Sequence, residues 1–484
     1  MKIICVLSLL LCNIVLYAEE VGDKGGYASK KYSVIPPSPE VSSMMKYIDI
    51  PVSHFTGQPQ IDIPVYTLTE GSLSVPISLS YKGGGIKHNE LSGIISKGWT
   101  LMAGMTISRN VHGLPDECNR GQSTPTWLRG LFHLSSSDKT LRNTLINRVG
   151  DFDPSEINEE RVMSYNECID YERGYVDFAN DIYKFYGQGM SGTFIFDENQ
   201  QITMSTSSPI KLSSNNGWNY CNYIMVDKEY TTYTFGLDGV ETTETPINAE
   251  GYNINVEIED NMEKLEYPSA WHITQMKSLY GDVIDFIYSE PIYRNDYLGA
   301  TQYYIHYSES NDGDLVDRAN LSSMRNKYHE RNLLAIKGKT TTVKFHYNNL
   351  KTQLESVSIH KNDTDTTELW RYQIVRDDAR NMIQINQIGG ANTQELYRFT
   401  YNPKTCTNQY AIDHWGYCNG ANNSFTILPE VSGWEHFTYM KADREPNENH
   451  TKEGILTSIK YPMGGTTYLN WEPNDYSYVK KEHR

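Results

Sequence analysis

From residue 47 the chain alternates apolar and polar positions with a period of two. Ile48, Ile50 and Val52, then Ile61, Ile63 and Val65, then Leu73, Val75, Ile77 and Leu79 form successive runs. A period of two sends neighbouring side chains to opposite faces, so each run predicts a strand with one wet side. Turn residues separate the runs at Pro51-Val52-Ser53, Thr56-Gly57-Gln58-Pro59 and Thr69-Glu70-Gly71-Ser72. Pro51, Pro64 and Pro76 cannot donate to a central ladder, which predicts a meander or edge-type strands. Gly83-Gly84-Gly85 closes the block as a bend, because no helix with a Lys-Ser/Thr pair follows as a phosphate cradle would need.

Between Ile94 and Glu117 the alternation places Trp99, Leu101 and Ala103 on one face and Thr100 and Met102 on the other. Gly104 interrupts it, and Met105, Ile107 and Val111 resume it before the turn Gly113-Leu114-Pro115-Asp116. A glycine within a strand pattern predicts one strongly coiled strand or two strands joined there. From Thr124 to Arg173 the alternation fades. Leu134, Leu141, Leu145 and Ile146 predict a short helix, followed by an acidic run from Asp151 to Glu160. Strands return at Ile182–Tyr186, Gly192–Phe196 and Tyr230–Gly236, the last ending in glycine.

The second half carries an irregular repeat. Its copies start at Ile273, Leu334, Ile383 and Leu456 and end at Tyr288, Tyr347, Tyr401 and Trp471. Each is a strand, a glycine turn and a strand ending in an aromatic. Hairpins of this kind cannot bury a face alone and must stack into a continuous sheet. Their uneven spacing argues against a strict propeller.

Composition strengthens the β reading. Tyr outnumbers Phe 36 to 13, and apolar residues make up only 38% of the chain. Aromatic rings with a polar tip suit half-wet antiparallel sheets. A formal charge of -17 opposes binding to phosphate backbones, so nucleic acid is not expected as a partner. Lys2, the apolar stretch Ile3–Val15 and Leu16-Tyr17-Ala18 read as a signal peptide cleaved after Ala18, with Leu11 before Cys12 arguing against lipidation. No later segment approaches the ~20 apolar residues of a membrane helix. An exported chain without an integral membrane segment is expected, whether secreted, periplasmic or held at the cell surface. Removal of Cys5 and Cys12 leaves Cys118, Cys168, Cys221, Cys406 and Cys418, an odd set. Cys406 and Cys418 could meet across a hairpin, but the favoured expectation is incidental cysteines, in no zinc pattern.

The chain resembles the N-terminal region of large exported RHS (YD-repeat) proteins, often labelled sugar-binding or cell-wall-associated. The likeness rests on Asp49-Ile50-Pro51-Val52-Ser53 with Thr56-Gly57, and on Val75-Pro76-Ile77-Ser78-Leu79-Ser80-Tyr81. Gly98-Trp99-Thr100-Leu101, Arg109-Asn110-Val111-His112-Gly113-Leu114-Pro115-Asp116 and Gly192–Asp197 continue it. Asp413-His414-Trp415-Gly416-Tyr417-Cys418-Asn419-Gly420 and Ile459-Lys460-Tyr461-Pro462-Met463-Gly464-Gly465 complete it. Cys418 departs from the pattern, where an aromatic is expected, and an acidic-Pro-Asp element is missing before Ile182. The resemblance implies a β-ribbon wound as part of a hollow shell, with further repeats and an effector or toxin in longer relatives. The self-cleavage aspartates of the RHS core have no counterpart here.

Candidate chemistry is sparse. Asp413-His414 could offer a metal ligand or a base, but neighbours on a strand face opposite ways, so a turn hydrogen-bonding His414 internally is expected. Ser92 and Ser191 lack a nucleophile elbow. Glu159-Glu160 and Asp377-Asp378 read as solvated pairs rather than the facing carboxylates of a glycosidase. Trp218, Trp271, Trp370, Trp415, Trp434 and Trp471 could present flat faces to sugars or pack sheets. Of these, Trp218, Trp370, Trp415 and Trp434 are kept as candidate glycan contacts. Gly98, Trp99, Arg109, Gly113, Pro115, Asp116, Asp413, His414, Trp415, Gly416, Pro462, Gly464 and Gly465 are expected to pack and turn. No catalytic residue, metal or cofactor is expected.

The expected fold is all-β, an extended, coiled and partly open antiparallel sheet of hairpin units, RHS-shell-like, with a small partly helical insertion. Along the chain this gives a signal peptide (1–18), a flexible leader (19–45), an N-terminal β region (46–123) and a partly helical, acidic insertion (124–174). A middle β region (175–265), a hairpin-repeat region resembling YD/RHS repeats (266–476) and a polar tail (477–484) follow. The expected function is a non-enzymatic exported scaffold or surface-interaction protein, tied to effector encapsulation or delivery. Its partners would be a downstream RHS-repeat or effector polypeptide, or a cell-surface glycan. A carbohydrate-binding surface protein and, more distantly, a glycan hydrolase are the alternatives.

Overall fold

The computed structural model describes residues 58–82, 84–85, 87, 92–120, 128–136, 138–140, 142, 176–197, 199–215, 222–246, 264–309, 315–361, 367–408, 410–423 and 442–472. All lie in one compact unit, Val52–Arg484. The signal peptide, leader, polar tail, Ile48–Val52 run, Trp218 and Trp434 fall outside the described residues, as do Cys168, Cys221 and most of the expected insertion.

The first strands are β1 (Gln60–Glu70), β2 (Leu73–Lys82), β3 (Trp99–Ala103), β4 (Met105–Asn110), β5 (Asn119–Arg120) and β6 (Leu128–Arg129). β7 (Ile182–Gly187), β8 (Met190–Phe196), β9 (Ile202–Thr206), β10 (Lys211–Asn215), β11 (Asn222–Val226) and β12 (Thr232–Pro246) follow. β13 (Lys264–Lys277), β14 (Val283–Tyr288), β15 (Ile292–Glu309), β16 (Leu315–Glu330), β17 (Leu333–Lys337) and β18 (Thr342–Tyr347) come next. The last are β19 (Leu354–His360), β20 (Glu368–Arg376), β21 (Met382–Gly389), β22 (Asn392–Tyr401), β23 (Leu456–Lys460) and β24 (Thr466–Tyr468), with helix α1 (Glu448–Thr451) between β22 and β23. The fold is all-β, and the sheets are open. A helical turn follows Leu134, where Ser135 Oγ accepts from Asp138 N while the Asp138 carboxylate accepts from Ser135 N, a reciprocal cap. Leu141, Leu145 and Ile146 of the expected helix lie outside the described residues.

One sheet forks. The long antiparallel pair β12–β13 is common to two ribbons. Near Thr232–Phe235, β12 carries β11 and then β10, while Gln275–Lys277 of β13 lead into β14 and on through β17 to β24. Beyond the bend, Thr242–Glu244 of β12 carry β16 and β15, while Ala270–His272 of β13 carry β4, β7, β8 and β9. The bend in β12 is a break in register between Phe235 and Val240. Asn222 Oδ1 pins it by accepting from Leu237 N at 2.8 Å. The strand expected to end at Gly236 therefore bulges there and continues.

Gly104 stands at the fork. It divides β3, in a three-stranded sheet with β1 and β2, from β4, in the forked sheet. Its φ is +99°, and a Cβ here would lie 2.9 Å from both Ile273 Cγ2 and Phe286 Cε1. A side chain at this position would collide where β13 exchanges β4 for β14. The β1–β3 sheet packs on the longer ribbon: Trp99 meets Phe399 edge-on, and Tyr66 meets Trp370. Buried Leu68, Val75, Ile77, Leu79, Ile336, Val343, Ile359 and Ile459 belong to the apolar core. Pro64 adjoins a bulge in edge strand β1, and Pro76 lies one residue outside the stretch of β2 that pairs with β3.

The four repeat copies are the hairpins β13–β14, β17–β18, β21–β22 and β23–β24. The closing aromatic of each clasps its own unit. Tyr288 OH donates to Ile273 O at 2.9 Å, Tyr347 OH to Leu333 O at 3.0 Å, Tyr401 OH to Met382 O at 2.7 Å and Trp471 Nε1 to Leu456 O at 2.6 Å. Burial pushes the three phenols well above their ordinary range, so they remain donors. A phenylalanine could fill the space but could not satisfy the carbonyl, which accounts for Tyr over Phe at these positions.

Candidate functional site

Arg109 and its turn form one polar cluster. The alternation that buries Met105 and Ile107 also buries Arg109. A charged side chain on the inner face must be paired, and every N–H of this one has a partner. Nε donates to Asp181 at 2.8 Å, Nη1 to Glu117 at 2.8 Å and more weakly to Pro268 O, and Nη2 to both carboxylates. The guanidinium also lies over the rings of Tyr183 and Tyr267. Asp181 accepts from His112 N and Asp116 N, and Asp116 accepts from Asp181 N. Burial, then the charge of Asp181, pushes Asp116 up to about 8. Burial raises Asp181 as well, opposed by the Arg109 guanidinium and the N–H groups of His112 and Asp116, so the two carboxyls titrate as a pair. Asp177 ties Leu114 N to the same cluster, beside Gly113, and Pro115 O accepts from Cys118 N.

The expected packing role of Arg109 and Asp116 becomes a more specific one. They knot the turn 111–117 to residues 177–181 through an ion network that short-range sequence patterns do not reveal, since Asp181 is 72 positions away. No N–H of Arg109 is left over for a ligand.

A second row lies at the fork. His272 Nδ1 is 3.0 Å from Thr106 Oγ1, and its Nε2 is 2.9 Å from Glu241 Oε1. Glu241 also accepts from Arg331 N, and Tyr288 stacks on the imidazole. Burial alone would raise the Glu241 pKa, but the hydrogen bond and charge of His272 lower it. The hydroxyl–imidazole–carboxylate order is that of a nucleophile relay, but the flanking strands β7 and β13 occupy both edges of β4 at Thr106. No backbone donors are left there for an oxyanion. The sequence pointed to Tyr288 only as the end of a repeat copy; Thr106, His272 and Glu241 were not candidates, because they come together only through the fork.

The third cluster is the loop from Asn402 to Asn423. Asp413 is buried and accepts from Trp415 N and Tyr417 N, both at 2.9 Å, closing a turn at Gly416. His414 is exposed, which corrects the expectation that it would be the internally bonded residue. Trp415 is 54% exposed and stands edge-on to His414. Tyr417 OH donates to Gly84 O, and Lys87 Nζ lies 5.7 Å over the Tyr417 ring. Cys406 and Cys418 form a disulfide, correcting the expectation of incidental cysteines. Cys118 is buried, its Sγ 3.9 Å from Leu128 O.

Three of the other tryptophans pack rather than face solvent. Trp271 is core, Trp370 is half-buried against Tyr66, and Trp471 is a hairpin clasp. Trp99 Nε1 donates to Tyr401 OH. Gly98 turns the chain beside Tyr81. Tyr461-Pro462-Met463-Gly464 forms the last hairpin turn, with Gly464 N donating to Tyr461 O and Tyr461 N to Gly465 O. Among the described residues no helix is long and apolar enough to cross a membrane.

No family model and no curated protein matches the chain. Solved structures similar to it include a TcdB2–TccC3–Cdc42 crystal structure, with 11% identity, a TM-score of 0.33, and coverage of 72% of this chain and 16% of that one. The Photorhabdus luminescens Tc holotoxin pore gives 9% identity and a TM-score of 0.34 with the same coverages. The N-terminal domain of the effector protein SpvB from Salmonella typhimurium strain LT2 gives 10% identity and a TM-score of 0.29, covering 68% of this chain and 98% of that one. The chain thus spans 16% of the Tc toxin chains it matches, and similarity at this level assigns no function.

Proposed function

We propose that this chain is a non-enzymatic, exported scaffold that forms part of a shell wall. One observation carries the reading: hairpins that are each clasped by their own final aromatic add one after another to a single open ribbon. Such a unit closes its own hydrogen bonds but buries its face only against its neighbours, so units add by stacking along the sheet. Among the described strands β24 pairs with β23 alone, so its outer edge can receive another hairpin. The proposed partner is a polypeptide supplying further repeats or an effector.

The test is co-expression with the polypeptide encoded immediately downstream. A stoichiometric complex is expected, and Tyr468→Pro should abolish it. Leu469 N donates inward to Thr457 O, so the N–H of Tyr468 faces the outer edge, and proline removes it. Failure of the chain to associate, or association indifferent to Tyr468→Pro, overturns the edge reading. Turnover of any surface polysaccharide, lost on replacing one carboxylate, overturns the non-enzymatic reading.

The exposure of Trp415 supports a second reading, a carbohydrate contact at the Asp413–Gly416 turn. Glycan binding lost in Trp415→Ala would favour it.

A further inference from the structure

We propose that the Cys406–Cys418 disulfide masks a zinc site, and that reduction creates it: the two thiolates, with His450 and Glu453, then bind one ion. This inference is independent of the scaffold reading. A ligand atom from each of Cys418, His450 and Glu453 lies within 4.8 Å of the others. Cys406 supplies a fourth donor, because its sulfur is bonded to that of Cys418 and its backbone N–H donates to Glu453. Two sulfurs, one imidazole and one carboxylate make a donor set suited to tetrahedral zinc. While the S–S bond exists neither sulfur is a thiolate, so the set is incomplete.

The surroundings are already arranged for the reduced state. Gly420 N lies 3.4 Å from Cys418 Sγ and donates to it, a bond that favours negative charge on sulfur. Any side chain at position 420 would fall 2.3 Å from His450 Nε2, so the Cys418–Gly420 backbone lies directly against the imidazole. His450 Nδ1 is 2.8 Å from Glu453 Oε1, and zinc would replace the proton between them. Glu453 keeps the N–H groups of Thr405 and Cys406 on its other oxygen, which fix its orientation.

The two segments do not depend on the disulfide to stay together. Asn402 Nδ2 donates to Lys452 O, Gly454 N to Asn402 O, and Asn419 Nδ2 to Asp443 O and Glu445 O. Asn447 caps the N-terminus of α1, which carries His450. Opening the S–S bond leaves these ties in place and frees both sulfurs.

The chemistry balances with an external dithiol or phosphine reductant. Two electrons break the S–S bond. A dithiol supplies them with its two protons and leaves as its disulfide, whereas a phosphine supplies them and leaves as its oxide, water giving the oxide oxygen and the two thiol protons. Zinc then displaces the thiol protons to the solvent.

The experiment measures zinc stoichiometry and the Co²⁺ absorption spectrum of the full chain, before and after reduction by a phosphine. The reduced chain is expected to take up one more zinc equivalent than the oxidised chain and to show a thiolate-to-cobalt charge-transfer band. The Cys406→Ser/Cys418→Ser double variant retains Cys118, Cys168 and Cys221 and sets the background. His450→Ala should weaken zinc binding about a hundredfold or more in the reduced chain. Equal uptake in both redox states, reduced uptake no greater than in the double variant, or full affinity in His450→Ala each overturns the proposal. The comparison of oxidised and reduced wild-type chain needs no variant to fold.

Discussion

The Arg109 knot and the disulfide loop both hold a long excursion of chain with buried or nearly buried carboxyl groups, yet the two shift their carboxyls in opposite directions. In the knot, Asp116 receives hydrogen bonds from a single N–H, that of Asp181, and has the charged Asp181 beside it. Burial dominates, and its pKa rises to about 8. In the loop, burial also acts to raise Glu453. There Thr405 N, Thr405 Oγ1, Cys406 N and His450 Nδ1 outweigh it, and its pKa falls. The balance of burial against the donors and charges around each carboxylate decides the sign: Asp181 accepts from Arg109, His112 N and Asp116 N, and burial still raises it. A saturated knot has no room for a ligand, whereas the loop's His450–Glu453 bond can be exchanged for an ion.

The largest effect expected from breaking this contrast is that of Arg109→Met. It leaves Glu117 and Asp181 facing each other in the interior, a loss of about 3–5 kcal/mol. Urea unfolding would show it as a lower midpoint. Adding Glu117→Gln and Asp181→Asn should recover part of the loss, because the uncompensated charges disappear. A single-variant loss of less than ~1 kcal/mol would mean that the knot is solvated, and the contrast with the loop would fail.

Next comes the disulfide, with a sequence separation of 12. Replacing both cysteines by serine should cost about 3 kcal/mol through the freedom regained by the unfolded loop. Zinc should restore stability to the reduced wild-type chain, since a ligand of the native state raises its unfolding free energy, and should not restore it to the serine variant. Thermal unfolding with and without zinc separates these outcomes. No such dependence should appear at the knot.

The third prediction concerns pH. The folded-state pKa of Asp116 lies above its unfolded value of 3.8, so the native state keeps a proton that the unfolded chain releases. Stability from this group is complete below about pH 4, falls as pH rises toward 8 and then levels. Asp116→Asn mimics the protonated form. It should flatten that slope and raise the denaturation midpoint at pH 8 by the equivalent of a few kcal/mol at most. The lowered pKa of Glu453 works in the other sense: its contribution is present at neutral pH and is lost as pH falls through the carboxylate range. Denaturation midpoints across pH in Asp116→Asn and Glu453→Gln should therefore diverge. Parallel curves would show that the two carboxyls are not shifted in opposite directions.

Local periodicity was enough to read the strands on either side of Gly104, the four hairpin copies and the turn at Tyr461–Gly465, because each is made by neighbours in sequence. The fork was not legible. It depends on β4 pairing with β13, Ile107 against Trp271, partners 164 positions apart in sequence. Arg109 carried the motif but not its role, since a charged residue in an alternating run gives no sign of a partner at position 181. The repeat showed that each copy ends in an aromatic; only the fold shows that its polar tip reaches back to the first strand. The pairing of Cys406 with Cys418 was open in the sequence, and the packing of loop 402–423 against residues 442–454 decides it.

The smallest effect belongs to Trp415, and it tests whether the loop's outer surface differs in kind from its inner cluster. Trp415 contributes its N–H to the Asp413 turn through the backbone, while its ring is 54% exposed beside His414. Trp415→Ala keeps that N–H and removes only the ring, so stability should change by no more than about 0.5 kcal/mol. Asp413→Ala removes the acceptor from two part-buried backbone donors and should cost more, about 1–3 kcal/mol. Melting curves for the two variants, recorded with binding to a panel of surface glycans, separate ring from turn. If Trp415→Ala melts like the wild type and loses glycan binding, the exposed ring is a contact surface. If it melts as low as Asp413→Ala, the ring is part of the packing that holds the loop, and both faces of the loop serve the same structural end.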